Sequence, residues 1–330
     1  MSTTDDQVAA HVGGPPPPLG FPAPGPARFA TLDDVRSRLA EVGYLADDGM
    51  AGVVFLADRL AKPVLVEGPA GTGKTELAKA VSRITGSRLI RLQCYEGLDE
   101  SKALYEWNYR KQLLRIQAQQ LVDEPESDAP ATTGRPRTWK ALEEDIFSEP
   151  FLLTRPLLEA IRCTDPVVLL IDEVDRVELE TEALLLEVLS EYQVSIPELG
   201  TVKATRVPLV FLTSNNTREL SEALKRRCLY LHLDYPSLER ERAIVRTRVP
   251  GISDELADQV ARIVRSLRTL ELKKHPSVSE TLDWARTLVL LGVEQIDPER
   301  ACATLNVLLK YRTDLERAAK ELELAGDTPG

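Results

Sequence analysis

Cysteine, histidine and long apolar runs are all scarce in this sequence. Its four cysteines, Cys94, Cys163, Cys228 and Cys302, form no C-x-x-C pair and have no histidine at metal-ligand spacing. This argues against the common zinc motifs and indicates buried or free thiols in a reducing compartment. No run approaches the roughly 18 apolar residues of a membrane-spanning helix, and no basic-then-apolar signal pattern opens the sequence. We therefore expect a cytoplasmic protein without membrane insertion.

Positive charge is also in deficit. With 41 lysines and arginines against 52 aspartates and glutamates, the formal net charge is −11. With this net charge we do not expect a large basic surface for nucleic acid, although a local basic groove is still compatible with the sequence. An apolar fraction of 43% over 330 residues is enough for a sizeable core in one large or two medium domains.

Composition divides the chain into three predicted parts. Residues 1–28 are rich in Pro, Gly and Ala and are expected to be a disordered tail or, alternatively, a docking segment for a partner. Residues 29–235 alternate short apolar runs with helical patterns, which predicts an α/β domain with a five-stranded parallel sheet flanked by helices. Residues 236–330 show helical patterns only and predict a small all-helical lid domain, in which Ser277 and Glu280 form a capping box.

The stretch around Lys74 carries the most specific pattern. An apolar, strand-like run over residues 64–66 leads into a loop in which Gly68, Gly73, Lys74 and Thr75 satisfy G-x-x-x-x-G-K-[ST].

Glycines let the backbone bring its N–H groups against phosphate oxygens, and the N-terminus of the following helix adds a partial positive charge. We expect Lys74 to reach the β- and γ-phosphates of ATP and the Thr75 hydroxyl to hold Mg²⁺. The alternative is a glycine-rich turn without a ligand. The predicted nucleotide-binding loop residues are Gly68, Pro69, Ala70, Gly71, Thr72, Gly73, Lys74, Thr75 and Glu76.

Two adjacent carboxylates follow a second strand. The continuous apolar run over residues 167–171 fits a strand buried on both faces of a parallel sheet, and it ends in Asp172 and Glu173. Carboxylates at the carboxyl end of a parallel strand point into the ligand crevice. Asp172 is expected to bind Mg²⁺ through water beside the nucleotide, and Glu173 to orient and deprotonate the attacking water. An ordinary polar strand end is the alternative, and Asp175 is expected to be a structural or surface carboxylate.

Two further candidates lie downstream. Asn215 follows the strand-like run over residues 208–212, and its amide can position a water against the γ-phosphate. Asn216 is the alternative holder of that role, and simple turn geometry is the alternative to both. Arg226 and Arg227 end a short helical pattern. An arginine that reaches a neighbouring subunit's γ-phosphate would stabilise the charge that develops during transfer, whereas the simpler explanation is a pair of cations at a helix C-terminus.

The order of these four features resembles that of the AAA+ ATPases. Within them, the sequence is similar to the MoxR group and to its CoxD-like branch, which is associated with maturation of molybdenum–copper carbon monoxide dehydrogenase. The resemblance spans about residues 31–311. The segments that carry it are Lys62–Ala78, Leu170–Asp175, the predicted hairpin Val194–Lys203 and Thr213–Asn215, with Tyr105–Tyr109 and Pro276–Trp284 for the CoxD-like branch.

This resemblance implies a phosphate-loop AAA+ fold and a hexameric ring with ATP at the subunit interfaces. It also implies a partner with a von Willebrand factor A domain, a protein client, and a chaperone-like role in activating a metalloenzyme. By position, Asn215 is the sensor and Arg227 the arginine finger. One departure concerns the basic second sensor, because Ser279 stands where the family usually has a basic residue. The second sensor stays unassigned, and the basic residues that could substitute are Arg286, Lys273 and Lys274.

Three other functions stay open at this point. A DNA-directed AAA+ motor or clamp-loader-like protein would show a salt-dependent shift on DNA. A small-molecule kinase of the phosphate-loop class would transfer phosphate to an acceptor with turnover independent of protein concentration. A scaffold that holds nucleotide and hydrolyses little is disfavoured by the presence of Glu173.

Overall fold

A computed structural model of the chain describes residues 27–123, 143 and 145–326. The predicted disordered tail lies outside the described residues except for its last two positions, so it stays a prediction. In the described part the strands are β1 (Val64–Glu67), β2 (Arg88–Gln93), β3 (Tyr105–Trp107), β4 (Leu152–Thr154), β5 (Val167–Asp172), β6 (Gln193–Ile196), β7 (Gly200–Lys203), β8 (Leu209–Ser214) and β9 (Leu229–His232).

Helices precede, connect and follow these strands. Before and within the strand-containing part they are α1 (Leu32–Glu41), α2 (Asp48–Leu60), α3 (Lys74–Thr85), α4 (Glu100–Ala103), α5 (Tyr109–Asp123), α6 (Pro156–Arg162), α7 (Leu179–Glu191) and α8 (Glu222–Arg227). After the last strand they are α9 (Leu238–Arg248), α10 (Asp254–Thr269), α11 (Val278–Leu290), α12 (Pro298–Leu308) and α13 (Arg312–Gly326). Among the helices of the described residues, none combines the length and the apolar character needed to cross a bilayer.

Five strands form one parallel sheet in the order β2-β5-β8-β1-β9, which confirms the predicted sheet. Every residue of β5 and β8 is buried, as expected for central strands covered on both faces. The predicted hairpin is also confirmed, because β6 pairs antiparallel with β7. A second antiparallel pair, β3 with β4, was not predicted, since three-residue strands are too short to show alternation.

The two faces of the sheet have separate apolar cores. Along β5 the side chains of Val167, Leu169 and Ile171 enter one cluster, and those of Val168 and Leu170 enter the other. This is the period-2 alternation of a strand. A third cluster lies within the C-terminal helices and surrounds the fully buried Trp284. The C-terminal helical region therefore has an apolar core of its own.

The parallel arrangement fixes where the predicted functional residues meet. Glu67 at the end of β1 pairs with Ser214 at the end of β8, and Ile171 near the end of β5 pairs with Leu212. The carboxyl ends of β1, β5 and β8 therefore share one edge of the sheet, where the ligand crevice of an open α/β sheet lies. The phosphate loop, the acidic pair and Asn215 follow these three strands and are brought together there.

Candidate nucleotide-binding site

The phosphate loop depends on glycines at three turns. The φ angles of Gly68, Gly71 and Gly73 are +151°, +75° and +96°, a region that residues with a Cβ rarely adopt. A Cβ on Gly68 would lie 1.9 Å from the carbonyl oxygen of Leu233, so the loop passes β9 with no room for a side chain. Gly73 is the N-cap of α3, whose first amides therefore border the loop. Converging backbone N–H groups at a helix N-terminus form a ready anion site.

Lys74 is held against this loop. Its side chain is buried, and Nζ donates hydrogen bonds to the carbonyl oxygens of Gly68 (2.8 Å) and Pro69 (2.7 Å). Burial lowers the pKa of Lys74, and the nearby carboxylates of Asp175 and Asp172 oppose that shift. The nearby carboxylates favour the charged form of Lys74, and this poorly solvated ammonium can attract an added phosphate.

Asp172 connects the loop to the end of β5. It is 3% exposed, and its Oδ1 accepts hydrogen bonds from Thr75 Oγ1 (2.9 Å) and from Thr213 Oγ1, while Arg91 donates to Oδ2. A hydroxyl and a carboxylate side by side are hard oxygen donors of the kind that Mg²⁺ prefers, with waters and phosphate oxygens completing its shell. The Thr75 and Asp172 pair therefore fits the predicted metal. Arg91 and Thr213 were not predicted as site residues.

Glu173 occupies a left-handed backbone conformation at the turn after β5. Its φ is +58°, which costs about 1–2 kcal/mol for a residue with a Cβ. Its amide donates to Thr213 Oγ1 at 2.9 Å, and this bond helps to hold the strained turn. The carboxylate is one-third exposed and pairs with Arg176 at 2.7 Å. Strained turns of this kind concentrate at functional sites.

Asp175 organises the end of β8. Its Oδ2 accepts hydrogen bonds from the Asn215 amide (3.2 Å), the Thr217 amide (2.9 Å) and Thr217 Oγ1 (2.6 Å). Burial raises the pKa of Asp175, but the hydrogen bonds from Thr217 and Asn215 outweigh it and leave that pKa below its ordinary value. Asp175 is 3% exposed, so its predicted structural role is the one that the contacts support.

A cleft of about 270 Å³ collects most of the predicted residues. Asn215 lines it, whereas Asn216 is exposed and does not. The residues around this cleft are Ala70, Gly71, Gly73, Lys74, Thr75, Glu76, Lys79, Asp172, Glu173, Thr213, Asn215 and Ser279. A phosphate chain in this cleft would therefore lie among the loop amides, two ammonium groups and three carboxylates.

A second cleft of about 610 Å³ continues from the first, because both are lined by Gly71, Gly73, Glu76 and Ser279. Its walls combine apolar and polar side chains and come from the segment before α2, the phosphate loop, the segment after β9 and helices α9 and α11. The apolar lining includes Leu45, Met50, Leu233, Pro236, Val278 and Leu282. No sequence pattern predicts this cleft, since its walls are far apart along the chain. A cleft with apolar walls and a few polar groups beside a phosphate site suits a flat heterocyclic base.

The family profile for the AAA domain, dynein-related subfamily, matches residues 63–228. The matched range covers half of the chain and contains the loop, the acidic pair, Asn215 and both arginines. The chain belongs to this AAA domain family. Its nucleotide-binding fold is thus the phosphate-loop AAA+ fold, followed by a C-terminal helical region.

Relatives of this AAA protein are found among bacterial sequences. An uncharacterized protein of Staphylococcus aureus (strain bovine RF122 / ET3-1) is 25% identical over 267 residues, which cover 79% of this chain and 88% of the relative. Its counterpart in strain USA300 is 24% identical over the same length. A structure of a point mutant of Thermotoga maritima RuvB aligns with a TM-score of 0.44 and 16% identity, covering 86% of this chain and 72% of that one. The T. maritima RuvB Holliday junction branch migration motor aligns at 0.41 and 18%, covering 84% and 69%.

The arginine pair lies away from both clefts of this AAA domain. Arg227 donates from Nε to Ser190 Oγ at 2.6 Å and from Nη1 to the Ala223 carbonyl at 3.2 Å. Arg226 is 82% exposed and lies 3.9 Å from Glu222. Neither side chain borders the phosphate loop of its own chain, so either would have to act on another copy.

The basic residues considered for the second sensor lie elsewhere. Arg286 pairs with Asp283, Lys274 pairs with Glu280, and the ammonium of Lys273 lies over the ring of Tyr311. None of the three cations borders the two clefts described above. Their role as a second sensor therefore gains no support from the geometry.

Helices α9 and α11 supply other polar groups to the clefts. Ser279 lines both clefts, next to the confirmed capping box that opens α11. Two arginines of α9, Arg240 and Arg248, line the larger cleft, and Arg248 lies 3.4 Å from Glu76. Neither arginine was predicted as a site residue, because α9 carries no motif.

We expect Gly71→Ala to weaken nucleotide binding by about tenfold or more, equivalent to at least about 1.4 kcal/mol. A Cβ at Gly71 would lie 2.4 Å from Ser277 Cβ, so the loop and α11 must separate and the loop amides must shift. Binding of a fluorescent ATP analogue to the purified variant measures the loss.

Gly86→Ala is the matched control for Gly71→Ala. Gly86 also has a positive φ, +60°, but a Cβ there would meet no atom within 4 Å. It should reduce thermal stability through backbone strain and leave the affinity unchanged. Equal affinities for Gly71→Ala and the unmodified protein would show that the contact with Ser277 does not shape the loop.

Proposed function

We propose that this protein is an ATP-hydrolysing AAA+ machine of the MoxR group that remodels a client protein. Residues 29–235 would form its nucleotide-binding domain, and residues 236–330 its helical lid. The observation that carries the proposal is the small cleft, where Lys74, Thr75, Asp172, Glu173 and Asn215 meet. Together they supply phosphate binding, metal binding, a general base and a water-positioning amide.

In this proposal ATP lies across both clefts. The base occupies the apolar cleft, and the phosphates follow the loop into the small one. Lys74 exchanges its two loop carbonyls for β- and γ-phosphate oxygens. Thr75, and Asp172 through water, would hold Mg²⁺ beside the nucleotide, and a cation bound there would neutralise charge on the phosphate oxygens. The loop amides and the N-terminus of α3 add fixed positive partial charge at the same place.

Glu173 and Asn215 prepare the water. The backbone N–H of Asn215 donates to Asp175, which holds this residue in place. Its side-chain amide can then orient the water. The Glu173 carboxylate would take one proton of that water as its oxygen attacks the γ-phosphorus. The bond between the γ-phosphorus and the bridging oxygen to the β-phosphate breaks, so ADP leaves and inorganic phosphate forms. Because Glu173 pairs with Arg176 in the structure, the carboxylate must leave that partner before it can act as a base.

The remaining cation comes from a neighbouring copy. Since Arg226 and Arg227 do not border the clefts of their own chain, we propose that Arg227 reaches the γ-phosphate in the next subunit of a hexameric ring. A head-to-tail contact of this kind closes into a ring when the rotation between subunits allows it. Opening and closing of the shared sites would then move the subunits against each other.

The client and partner are proposed from the sequence resemblance to the CoxD-like branch. We propose a partner with a von Willebrand factor A domain and a client in metalloenzyme maturation, of the carbon monoxide dehydrogenase kind. Affinity capture with Glu173→Gln, which should remain in the ATP-bound state, tests both. Recovery of a protein with that domain together with a metalloenzyme subunit supports the proposal, whereas recovery of DNA alone contradicts it.

We expect Lys74→Met to lower the affinity for ATP by about 10- to 150-fold, the value of one or more hydrogen bonds to a charged group. Its ammonium is replaced by a thioether that cannot donate to phosphate. Isothermal titration with ATP and Mg²⁺ measures the change. Lys203→Met is a matched control, because Lys203 is exposed on β7 and does not line either cleft. Unchanged ATP affinity in Lys74→Met would show that this loop does not bind the nucleotide.

A further inference from the structure

Helix α7 is bound by hydrogen bonds to the segment that carries both Asn215 and Arg227. These hydrogen bonds lie at three places along residues 215–227. Asp175, just before α7, binds the amides of Asn215 and Thr217. Glu182 and Ser190, on α7 itself, bind the two ends of helix α8. A six-residue helix has little stability of its own, so these contacts decide where α8 points.

Glu182 fixes the beginning of α8. Its side chain is 2% exposed, Oε1 accepts from the amide of Ser221 at 2.7 Å, and Oε2 accepts from Arg218 Nη2 at 2.9 Å. Ser221 is the N-cap of α8, so the bond holds the first turn of that helix. Arg218 also donates to the Val177 carbonyl at 2.9 Å, which ties the same segment to the turn before α7. A buried carboxylate with two strong donors is a rigid anchor.

Ser190 fixes the end of α8. Its Oγ accepts from Arg227 Nε at 2.6 Å and donates to the Leu186 carbonyl, one turn earlier on α7. Glu182, Leu186 and Ser190 are spaced by four residues and therefore share one face of α7. Between the two anchored ends, Leu224 of α8 is fully buried. Helix α7 therefore fixes where the guanidinium of Arg227 lies.

We propose that Glu182 is a positioning residue for hydrolysis at the neighbouring subunit, because it sets the orientation of α8 and hence of Arg227. The inference rests on the proposed function and deepens it. Helix α7 begins six residues after Glu173, beyond a short 3-10 turn. The helix that follows one active site in the chain therefore holds the cation proposed for the neighbouring site. The expected defect of a Glu182 variant therefore appears in trans, in the site that receives its arginine.

Glu182→Gln tests the proposal at its anchor. The amide keeps the shape of the side chain but places a neutral group opposite Arg218. We expect kcat for ATP to fall by about 10- to 100-fold, since a displacement of about 1 Å of a catalytic group can cost about 10²-fold, while KM changes little because the clefts are intact. Ser190→Ala removes the acceptor for Arg227 and is expected to lower kcat in the same way. Glu187→Gln, an exposed position on the same helix, is the matched control and should leave kcat unchanged.

Mixing experiments separate positioning from simple misfolding. Lys74→Met subunits have a defective nucleotide site but an intact Arg227, so mixing them with Glu182→Gln subunits should restore part of the turnover. Mixing Glu182→Gln with Arg227→Ala should restore none, because neither supplies a well-placed arginine. Ser190→Ala repeats both mixtures if Glu182→Gln melts at a lower temperature than the control.

A reference mixture distinguishes failure of this inference from failure of the proposed function. Arg227→Ala mixed with Lys74→Met must recover turnover if the arginine acts in trans. If the reference mixture recovers turnover and the mixture of Glu182→Gln with Lys74→Met does not, the positioning role of Glu182 is overturned while the shared site stands. Wild-type kcat in both Glu182→Gln and Ser190→Ala overturns it as well. No recovery in the reference mixture overturns the shared site on which the inference rests.

Discussion

Glu173→Gln is expected to reduce ATP hydrolysis by about 10²- to 10⁴-fold, the usual contribution of a positioned general base, while ATP stays bound. Glutamine keeps the length and the hydrogen-bonding shape of the side chain but cannot accept the proton of the attacking water. The phosphate loop, Lys74 and the Thr75–Asp172 pair remain as they are, so binding should survive. Single-turnover hydrolysis of labelled ATP measures the chemical step, and a fluorescent ATP analogue measures the affinity.

The matched control for this variant is Glu178→Gln. Glu178 is exposed, lies five residues further along the same segment, and does not border the small cleft. It should hydrolyse ATP at the rate of the unmodified protein. Hydrolysis at the normal rate in Glu173→Gln would remove Glu173 from the role of base and leave the strained turn at that position without a catalytic explanation.

Arg227→Ala is expected to reduce turnover by about 10³- to 10⁵-fold, the range for an arginine that stabilises the transferring phosphoryl group. Its own nucleotide site is complete, so ATP affinity should change little. Lys225→Ala is the control, because Lys225 is a cation in the same last turn whose partner is the exposed Glu219 at 3.3 Å. Steady-state ATPase assays at a fixed protein concentration compare the two.

Arg226→Ala decides between the two candidate arginines. A small loss for Arg226→Ala beside a large loss for Arg227→Ala assigns the finger to Arg227, and the reverse order assigns it to Arg226. Equal and minor losses for both variants would contradict the proposal that either arginine reaches a neighbouring phosphate.

The phosphate loop could be predicted from the sequence because its chemistry lies in consecutive residues. Eight positions, from Gly68 to Thr75, specify the turns, the cation and the hydroxyl at once. The parallel sheet could be predicted too, since a run such as Val167–Ile171 is apolar on both faces. Parallel strands then bring their carboxyl ends together, so Asp172 and Asn215 meet without any local pattern that links them.

Contacts between distant segments could not be predicted in this way. Arg91 and Asp172 are 81 residues apart and meet only because β2 pairs with β5. The helical pattern of α7 gives no reason for Glu182 to be buried, because carboxylates are seldom buried unless they have partners. Its partners, Arg218 and Ser221, lie more than 35 residues further along the chain.

The larger cleft shows the same limit. Leu45, Leu233 and Leu282 are ordinary apolar residues in the sequence, and nothing local distinguishes them from residues of a core. Only the docking of α11 beside the phosphate loop, with Ser277 against Gly71, makes them three walls of one cleft. The close contact that requires a glycine at position 71 is therefore also what joins the C-terminal helices to the nucleotide site.

A dilution series of the purified protein tests the shared site most directly. ATPase activity per subunit and the sedimentation coefficient are measured in parallel with ATP and Mg²⁺ over a wide range of protein concentration. We expect the activity to fall in step with the loss of assembled species, because under the proposed mechanism a single chain lacks the arginine that a neighbour would supply. Full activity per subunit in a preparation that sediments as a monomer throughout would contradict the shared site.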